Sequence, residues 1–304
     1  MNKLNNLSFL EKIKKRENRS LKVEEVYTNT ELAEKTIEYL KKQTYLEFSK
    51  IDILLSNNFD NKSPFGNVLI DKHKEIIGFL GTMFSKRVDS NNNYVLCNLH
   101  TWIVNESHRL NSYLLLIPVV DRNSVITTFT PLKTLIGLYH KFGFEKLDMK
   151  YRVVLLFHLL GFLKYGRFKI IEDQALVEKY IKKEQLKIYQ DHKHLSCLKF
   201  IIMDLKDSSN NIFVIALKKR KFFFDVIDLL YVSDNKQFKK YWLSLCLQIG
   251  LKFKVFFCGQ NFLDDDDCSI PNKILFSKDL IKEICVKNLP SGHKFDTLYS
   301  EFVY

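Results

Sequence analysis

The stretch from Tyr94 to Phe144 constrains the fold more than any other part of the chain. It begins with Tyr94–Val104, a run rich in β-branched and aromatic residues that predicts a long strand. The polar residues Asn105-Glu106-Ser107 interrupt this run and provide a cap for a helix that begins near His108. The first part of the stretch therefore predicts a strand, a turn and a helix.

The second part of the same stretch repeats the alternation of strand and helix. Val125–Thr130 is a short run of β-branched and aromatic residues that predicts a buried strand. Lys133–Phe142 has the spacing of an amphipathic helix, and Gly143 stands where a helix favours a left-handed residue. The order strand, helix, strand, helix predicts a mixed α/β fold in which helices cover a sheet.

Two short motifs in this stretch carry a resemblance to a known family. His108–Leu114 reads HRLNSYL and stands where the GNAT superfamily of acyl-CoA N-acyltransferases has its pyrophosphate loop, Arg/Gln-x-x-Gly-x-Gly/Ala. Arg109 matches the first position of that loop, whereas Ser112 and Leu114 replace its small residues. Tyr139–Phe144 reads YHKFGF and is similar to the Tyr-x-x-x-Gly-Phe ending of the same family. The chain thus resembles a GNAT protein with a partly degenerate phosphate loop.

The residues before Tyr94 have the order of elements that this family has. A strand is predicted at Leu21–Tyr27, and helices are predicted at Glu31–Lys42 and Tyr45–Ser56. A hairpin follows, with strands at Gly66–Asp71 and Glu75–Arg87. Its second strand contains Gly78 and Gly81, which suggest a bulge or a close backbone approach.

The second half of the chain repeats the first at an offset of 128 residues. Tyr113 is matched by Tyr241 at this offset, and Val104 is matched by Val232. We interpret this as an internal duplication. The predicted elements are the strand Glu145–Val154, a connection at Leu155–Ile171, the helix Gln174–Gln190, the strands Leu198–Leu205, Ile212–Lys219 and Phe222–Val232, the helix Lys236–Ile249 and the strand Leu251–Cys258.

The sequence therefore predicts two tandem GNAT-like domains, each a mixed, twisted sheet flanked by helices. The first, residues 1–154, holds the acyl-CoA site. The second, residues 155–304, is predicted to be non-catalytic because its turn, residues 233–238, has Asp234 where it would repel phosphate and no Tyr-x-x-x-Gly-Phe ending follows.

The resemblance implies where acetyl-CoA or another acyl-CoA would lie. In this family two central parallel strands diverge, so an extended pantetheine arm pairs with free backbone groups. The helix that follows presents its N-terminus to the pyrophosphate. The residues implied to bind the co-substrate are Leu99, Thr101, Trp102, Ile103, Val104, Arg109, Asn111, Ser112 and Tyr113. The alternative is that the residues of the turn only cap a helix.

Two residues are candidates for proton transfer. Tyr139 matches the family tyrosine that protonates a leaving thiolate, and a phenol with a pKa of about 10 suits that task. The alternative is a tyrosine that only packs its helix against the sheet. His100 is the candidate base because imidazole titrates near neutral pH. Strand alternation predicts that His100 shares one face with Asn98 and Trp102. A purely structural histidine is the alternative.

Composition limits the partners and the compartment. The net charge of +12 suggests an anionic partner such as a nucleotide, a sugar phosphate, CoA or RNA, although the lysines are interpreted as spread over solvated faces without a dense basic tract. The six cysteines form no CxxC pair, and the acidic run Asp264–Asp267 is interpreted as solvated, so no metal is expected. No signal or membrane span is found, and we expect a cytoplasmic protein.

These features predict an N-acyltransferase that uses acyl-CoA and an amine acceptor. The acceptor is a small molecule or a glycan, and an amino sugar in the biosynthesis of a surface polysaccharide is the specific expectation. Two alternatives stay open. One is an aminoacyl transferase of the Fem type, which also pairs two GNAT-like halves and uses charged tRNA. The other is a non-catalytic GNAT-fold protein for binding or assembly. The sequence does not indicate an oligomeric state.

Overall fold

The computed structural model describes residues 20–43, 59, 62–89, 92–155, 167–221, 223–263, 270, 277–290 and 297–300. These residues form one mixed sheet of twelve strands. Its strands are β1 (Lys22–Val26), β2 (Gly66–Ile70), β3 (Ile76–Asp89), β4 (Asn92–Val104), β5 (Val125–Thr128), β6 (Glu145–Leu155), β7 (Phe168–Ile171), β8 (Leu198–Asp204), β9 (Ile212–Lys221), β10 (Phe224–Val232), β11 (Phe257–Phe262) and β12 (Ser277–Lys287).

Helices cover both faces of this sheet. In the part of the chain that the structure describes, the α-helices are α1 (Glu31–Lys41), α2 (Ile117–Val120), α3 (Ile136–Lys141), α4 (Gln174–Tyr180), α5 (Lys183–His192) and α6 (Asn235–Phe253), and a long 3₁₀ helix covers Glu106–Leu116. Successive residues of a strand point to opposite faces. Phe79 of β3 packs among residues of α1, whereas Leu80 packs among residues of the 3₁₀ helix, α2 and α3.

The strand order has an internal symmetry. It runs β1-β2-β3-β4-β5-β12-β6-β11-β10-β9-β8-β7. Each strand from β1 to β6 corresponds to the strand six places later in the chain, from β7 to β12. When every strand in the sheet is replaced by its counterpart, the same order is read in reverse. The last strand of each series is exchanged, because β12 lies between β5 and β6, and β6 lies between β12 and β11. This symmetry favours the predicted duplication, while the division into domains at residue 154 stays a prediction.

The mixed α/β architecture with helices around a sheet is confirmed, and three predicted elements are corrected. The predicted helix Gln174–Gln190 is two helices, because Ile181 adopts an extended conformation with ψ 140°. The predicted strand Leu251–Cys258 begins only at Phe257, since α6 continues to Phe253 and ends at Lys254 with a left-handed φ of 54°. The predicted connection Leu155–Ile171 contains an additional strand, β7.

Two predicted features fall where no structure is described. The helix Tyr45–Ser56 and the acidic run Asp264–Asp267 lie outside the described residues. In the described residues, two of the predicted helix ends are observed. Thr30 is the N-cap of α1, and its side chain accepts a hydrogen bond from the backbone N–H of Ala33 at 3.1 Å. Gly143 has the expected positive φ, 81°, after α3.

Candidate active site

A cavity opens where the two parallel strands at the centre of the first half diverge. β4 and β5 are paired at Leu96–Asn98 and Val125–Thr127. Beyond this pairing a cavity of about 310 Å³ separates them. Six of the predicted site residues line it, which are Leu99, His100, Thr101, Trp102 and Ile103 from β4 and Tyr139 from α3. The structure thus brings the two candidate catalytic residues to one cavity.

A bulge in β4 shapes this cavity. His100 is paired with Gly81 and Trp102 with Leu80, so Thr101 is an extra residue between them. Thr101 has a φ of 47°, which is rare for a β-branched residue and is typical of strained functional sites. Gly81 and Leu80 point to opposite faces of β3, and His100 and Trp102 therefore do so as well. The prediction that Asn98, His100 and Trp102 share one face is wrong at Trp102, because the bulge interrupts the alternation.

His100 is buried against the neighbouring strand. A Cβ built on Gly81 would lie 2.2 Å from its Cε1 atom, so the ring occupies the space that glycine leaves open. Its Nδ1 lies 3.0 Å from Oγ1 of Thr101. Burial lowers the pKa of His100 to about 4. The ring is therefore neutral at pH 7, and it is a weaker proton acceptor than an ordinary histidine.

The Tyr-x-x-x-Gly-Phe ending fixes the position of Tyr139. Gly143 turns the chain back after α3, and the backbone N–H of Phe144 donates to the carbonyl of Tyr139 at 3.0 Å. The Phe144 ring then packs edge-on against Tyr139, with 5.1 Å between centroids. Trp102 makes a similar contact from β4, at 5.7 Å. The buried phenol is held between a strand residue and the end of its own helix.

The segment after β4 differs from the prediction in its helix type. A helix was predicted from His108, and the structure has a 3₁₀ helix from Glu106 to Leu116. Leu114 is buried in the core beneath it. The side chain of Leu114 therefore points away from the outer surface of this segment.

Five predicted binding residues lie outside the lining of the cavity. Arg109 is 69% exposed, and its Nη1 is 3.5 Å from Oε1 of Glu106, a contact that water screens. Asn111, Ser112 and Tyr113 are half-buried in the 3₁₀ helix, and Val104 ends β4.

Sequence reasoning missed the wall of the cavity opposite β4. Thr128, Thr130, Leu132 and Leu135 line that side. Their positions at and after the end of β5 were the only signal in the sequence, because their residue types are common in loops. Together with Trp102 they make the cavity largely apolar.

In the second half, β10 and β11 are the parallel strands that correspond to β4 and β5. β10 and β11 are paired in parallel at Val226–Leu229 and Phe257–Gln260, and β10 also has a bulge, between Leu229 and Tyr231. Tyr151 of β6 lies over Gly259, and its hydroxyl donates to Asp228, the residue 128 positions after His100. Burial raises the pKa of the Tyr151 phenol, so this hydroxyl stays protonated.

Two further properties of the described residues bear on the site. They contain no group of three or more His, Cys, Asp or Glu side chains arranged to hold a metal ion. Within the same part of the chain, every helix is too short or too polar to cross a membrane.

Comparison with known proteins identifies the fold. No protein-family model and no curated protein matches the sequence. The structure is similar to a GCN5-related N-acetyltransferase from Anabaena variabilis, with a TM-score of 0.61, 9% identity and coverage of 88% of this chain and 72% of that chain. The structure is also similar to a GCN5-related N-acetyltransferase from Kribbella flavida, with a TM-score of 0.57, 9% identity and coverage of 88% of this chain and 70% of that chain.

A third similar structure comes from a fungal enzyme. It is a GCN5-related glucosamine N-acetyltransferase region of a multi-domain β-N-acetylglucosaminidase, with a TM-score of 0.52, 12% identity and coverage of 88% of this chain and 38% of that chain. The chain has the fold of the GCN5-related N-acetyltransferases, and the predicted GNAT resemblance is confirmed at the level of the fold.

Proposed function

We propose that the chain is an N-acyltransferase that moves an acyl group from acyl-CoA to an amine. The observation that carries this proposal is the cavity between the diverging strands β4 and β5, with Tyr139 in its wall. A strand that leaves its neighbour offers backbone donors and acceptors to an extended pantetheine arm. The apolar side chains around it suit the methylene groups of that arm and of an acyl chain.

The proposed reaction is a direct acyl transfer. The amine nitrogen attacks the thioester carbonyl, a C–N bond forms, the C–S bond breaks, and the thiolate takes the phenolic proton of Tyr139. The proton that the amine loses goes to a base. His100 is the candidate because it lines the same cavity and is neutral at pH 7, although burial makes it a weak acceptor. Water is its competitor for this role.

The proposed phosphate contacts lie beyond the mouth of the cavity. Arg109 is exposed at the start of the 3₁₀ helix and is free to leave its weak pairing with Glu106. Asn111 and Ser112 add neutral donors. The inward position of Leu114 supports this assignment, since the outer surface keeps room for a pyrophosphate.

An amino sugar is the acceptor class that we would test first. The fungal structure of the same fold is described as a glucosamine N-acetyltransferase region, and its identity of 12% leaves the acceptor a proposal. A glycan of a surface polysaccharide is the corresponding substrate class, and a small amine is its simpler form.

The decisive experiment is thermal unfolding with acetyl-CoA and longer acyl-CoAs. A ligand that binds only the native state raises stability by about 2.7 kcal/mol at a hundredfold excess over Kd. We expect a rise that Leu135→Trp abolishes, because the larger side chain fills the cavity. Leu186→Trp, at a half-exposed position on α5, is the matched control and should keep the rise.

Activity assays then separate the roles of the two candidate residues. With glucosamine as acceptor, Tyr139→Phe should lower kcat by about a hundredfold or more if the phenol is the acid. His100→Gln should lower it only if the imidazole accepts the proton. If no acyl-CoA stabilises the chain and charged tRNA does, the Fem-type alternative replaces this proposal. If neither ligand does, a non-catalytic role replaces it.

A further inference from the structure

The tip of the β9–β10 hairpin combines a basic run with exposed aromatic rings. Residues 218–224 read KKRKFFF, a dense basic tract that contradicts the expectation of thinly spread lysines. Phe223, between the two strands, is 88% exposed. An aromatic side chain of this size at a protruding tip is unusual in water, because its apolar area stays hydrated.

Other apolar side chains are exposed beside this tip. The Phe224 ring lies 6.4 Å from Phe256 and 5.4 Å from Phe257. Phe224 and Phe256 are each partly exposed, and so is Leu251 in the last turn of α6. We call Phe223, Phe224, Phe256 and Leu251 the hairpin patch.

Cations surround the hairpin patch. Lys218 pairs with Asp225 at 3.2 Å and also donates to the carbonyl of Phe253 at 3.1 Å. This second contact joins the hairpin to the end of α6. Arg220 and Lys254 are both exposed, and neither has an ion-pair partner among the described residues. The patch thus has an apolar centre and a rim with more positive than negative charge.

The hairpin patch lies at the same end of the sheet as the mouth of the cavity. β4 and β5 are parallel and run towards this end. The three pairings from β5 to β12, from β12 to β6 and from β6 to β11 are all antiparallel, so β11 runs away from it. β10 is parallel to β11 and also runs away from this end. β10 therefore begins at the end where β4 finishes. The two sites are four to five strand spacings apart, or about 20–25 Å.

We propose that the hairpin patch docks onto an anionic membrane surface. Phenylalanine and leucine side chains insert at the boundary of headgroups and acyl chains, and the surrounding cations attract anionic headgroups. The proposal does not depend on the proposed acyl transfer.

Two other occupants fit the hairpin patch less well. A second copy of this chain would place Arg220 and Lys254 opposite cations of the same kind, which repel each other. Single-stranded RNA needs open aromatic faces for base stacking. Phe224 already packs edge-on with Phe256, at an interplanar angle of 86°, and Leu251 offers no ring.

Vesicle co-sedimentation of the full chain, without acyl-CoA, tests this proposal. Vesicles of phosphatidylcholine with phosphatidylserine should bind the chain, and vesicles of phosphatidylcholine alone should bind it at least about fivefold more weakly. Phe223→Ser and Arg220→Glu should each weaken binding to the anionic vesicles by about fivefold or more. The matched controls are Leu205→Ser, an exposed leucine at the end of β8, and Lys72→Glu, an exposed lysine in the β2–β3 turn. They should stay within about twofold of the unsubstituted chain.

Three results would overturn the proposal. The first is no binding to anionic vesicles at low salt. The second is equal binding by Phe223→Ser and Leu205→Ser, which would reduce the effect to net charge. The third is binding of single-stranded oligouridylate, lost in Phe223→Ser, by a chain that ignores vesicles, which would assign the hairpin patch to RNA.

Discussion

Gly81→Ala tests whether the His100 ring is fixed by the glycine that faces it. A Cβ at position 81 would lie 2.2 Å from Cε1, 2.5 Å from Nδ1 and 2.7 Å from Nε2 of His100. Ordinary contacts begin near 3.4 Å, so the ring must move by more than about 1 Å in a packed position. Such overpacking costs about 1–3 kcal/mol. Loss of the hydrogen bond between His100 and Thr101 adds about 0.5–1.5 kcal/mol.

Urea unfolding measures this cost, and Gly137→Ala is the matched control. No atom lies within 4 Å of a Cβ built at Gly137 in α3, so this substitution should stabilise the chain by about 0.5–1 kcal/mol. Gly81→Ala should destabilise it by about 2–4 kcal/mol. In the double variant with His100→Ala the clash disappears, and a double-mutant cycle should give a coupling energy of about 1–3 kcal/mol. Additive effects, or a neutral Gly81→Ala, would refute the argument.

Two further predictions concern buried titratable groups. Burial lowers the pKa of both His100 and His192 to about 4. The unfolded chain binds these protons below about pH 6.5, so each histidine should lower stability by about 2 kcal/mol between pH 7 and pH 5. In His192→Phe, the urea midpoint of unfolding should fall less between pH 7 and pH 5 than in the unsubstituted chain. An unchanged pH dependence would contradict this prediction. Tyr151→Phe removes a donor from the buried Asp228 and should cost about 1–3 kcal/mol in thermal unfolding. An unchanged melting temperature would show that water or Lys219 replaces the phenol.

Local patterns predicted the elements around the site well. The ending Tyr139–Phe144 was recognisable because a left-handed glycine and an aromatic ring that folds back are both short-range requirements. Gly81 was correctly expected to mark a bulge or a close approach. The position of the extra residue was not predictable, because Thr101 is displaced by the packing of His100 on a neighbouring strand. That packing involves two strands, and the periodicity of residues within one strand does not indicate how it pairs with its neighbour.

The exchange of β6 and β12 between the two halves of the sheet also could not be predicted from local sequence patterns. Because of this exchange, β12 of the second half contacts residues of the candidate site. Cys285 of β12 pairs with Thr128, a residue of the cavity wall. Lys287 then donates from Nζ to the carbonyl of Phe142 at 2.9 Å, within the ending that holds Tyr139. Burial lowers the pKa of Lys287, which makes this contact costly unless it is well ordered. The C-terminal strand therefore holds both β5 and the end of α3. Through β12, the second half therefore positions groups that line the cavity of the first half.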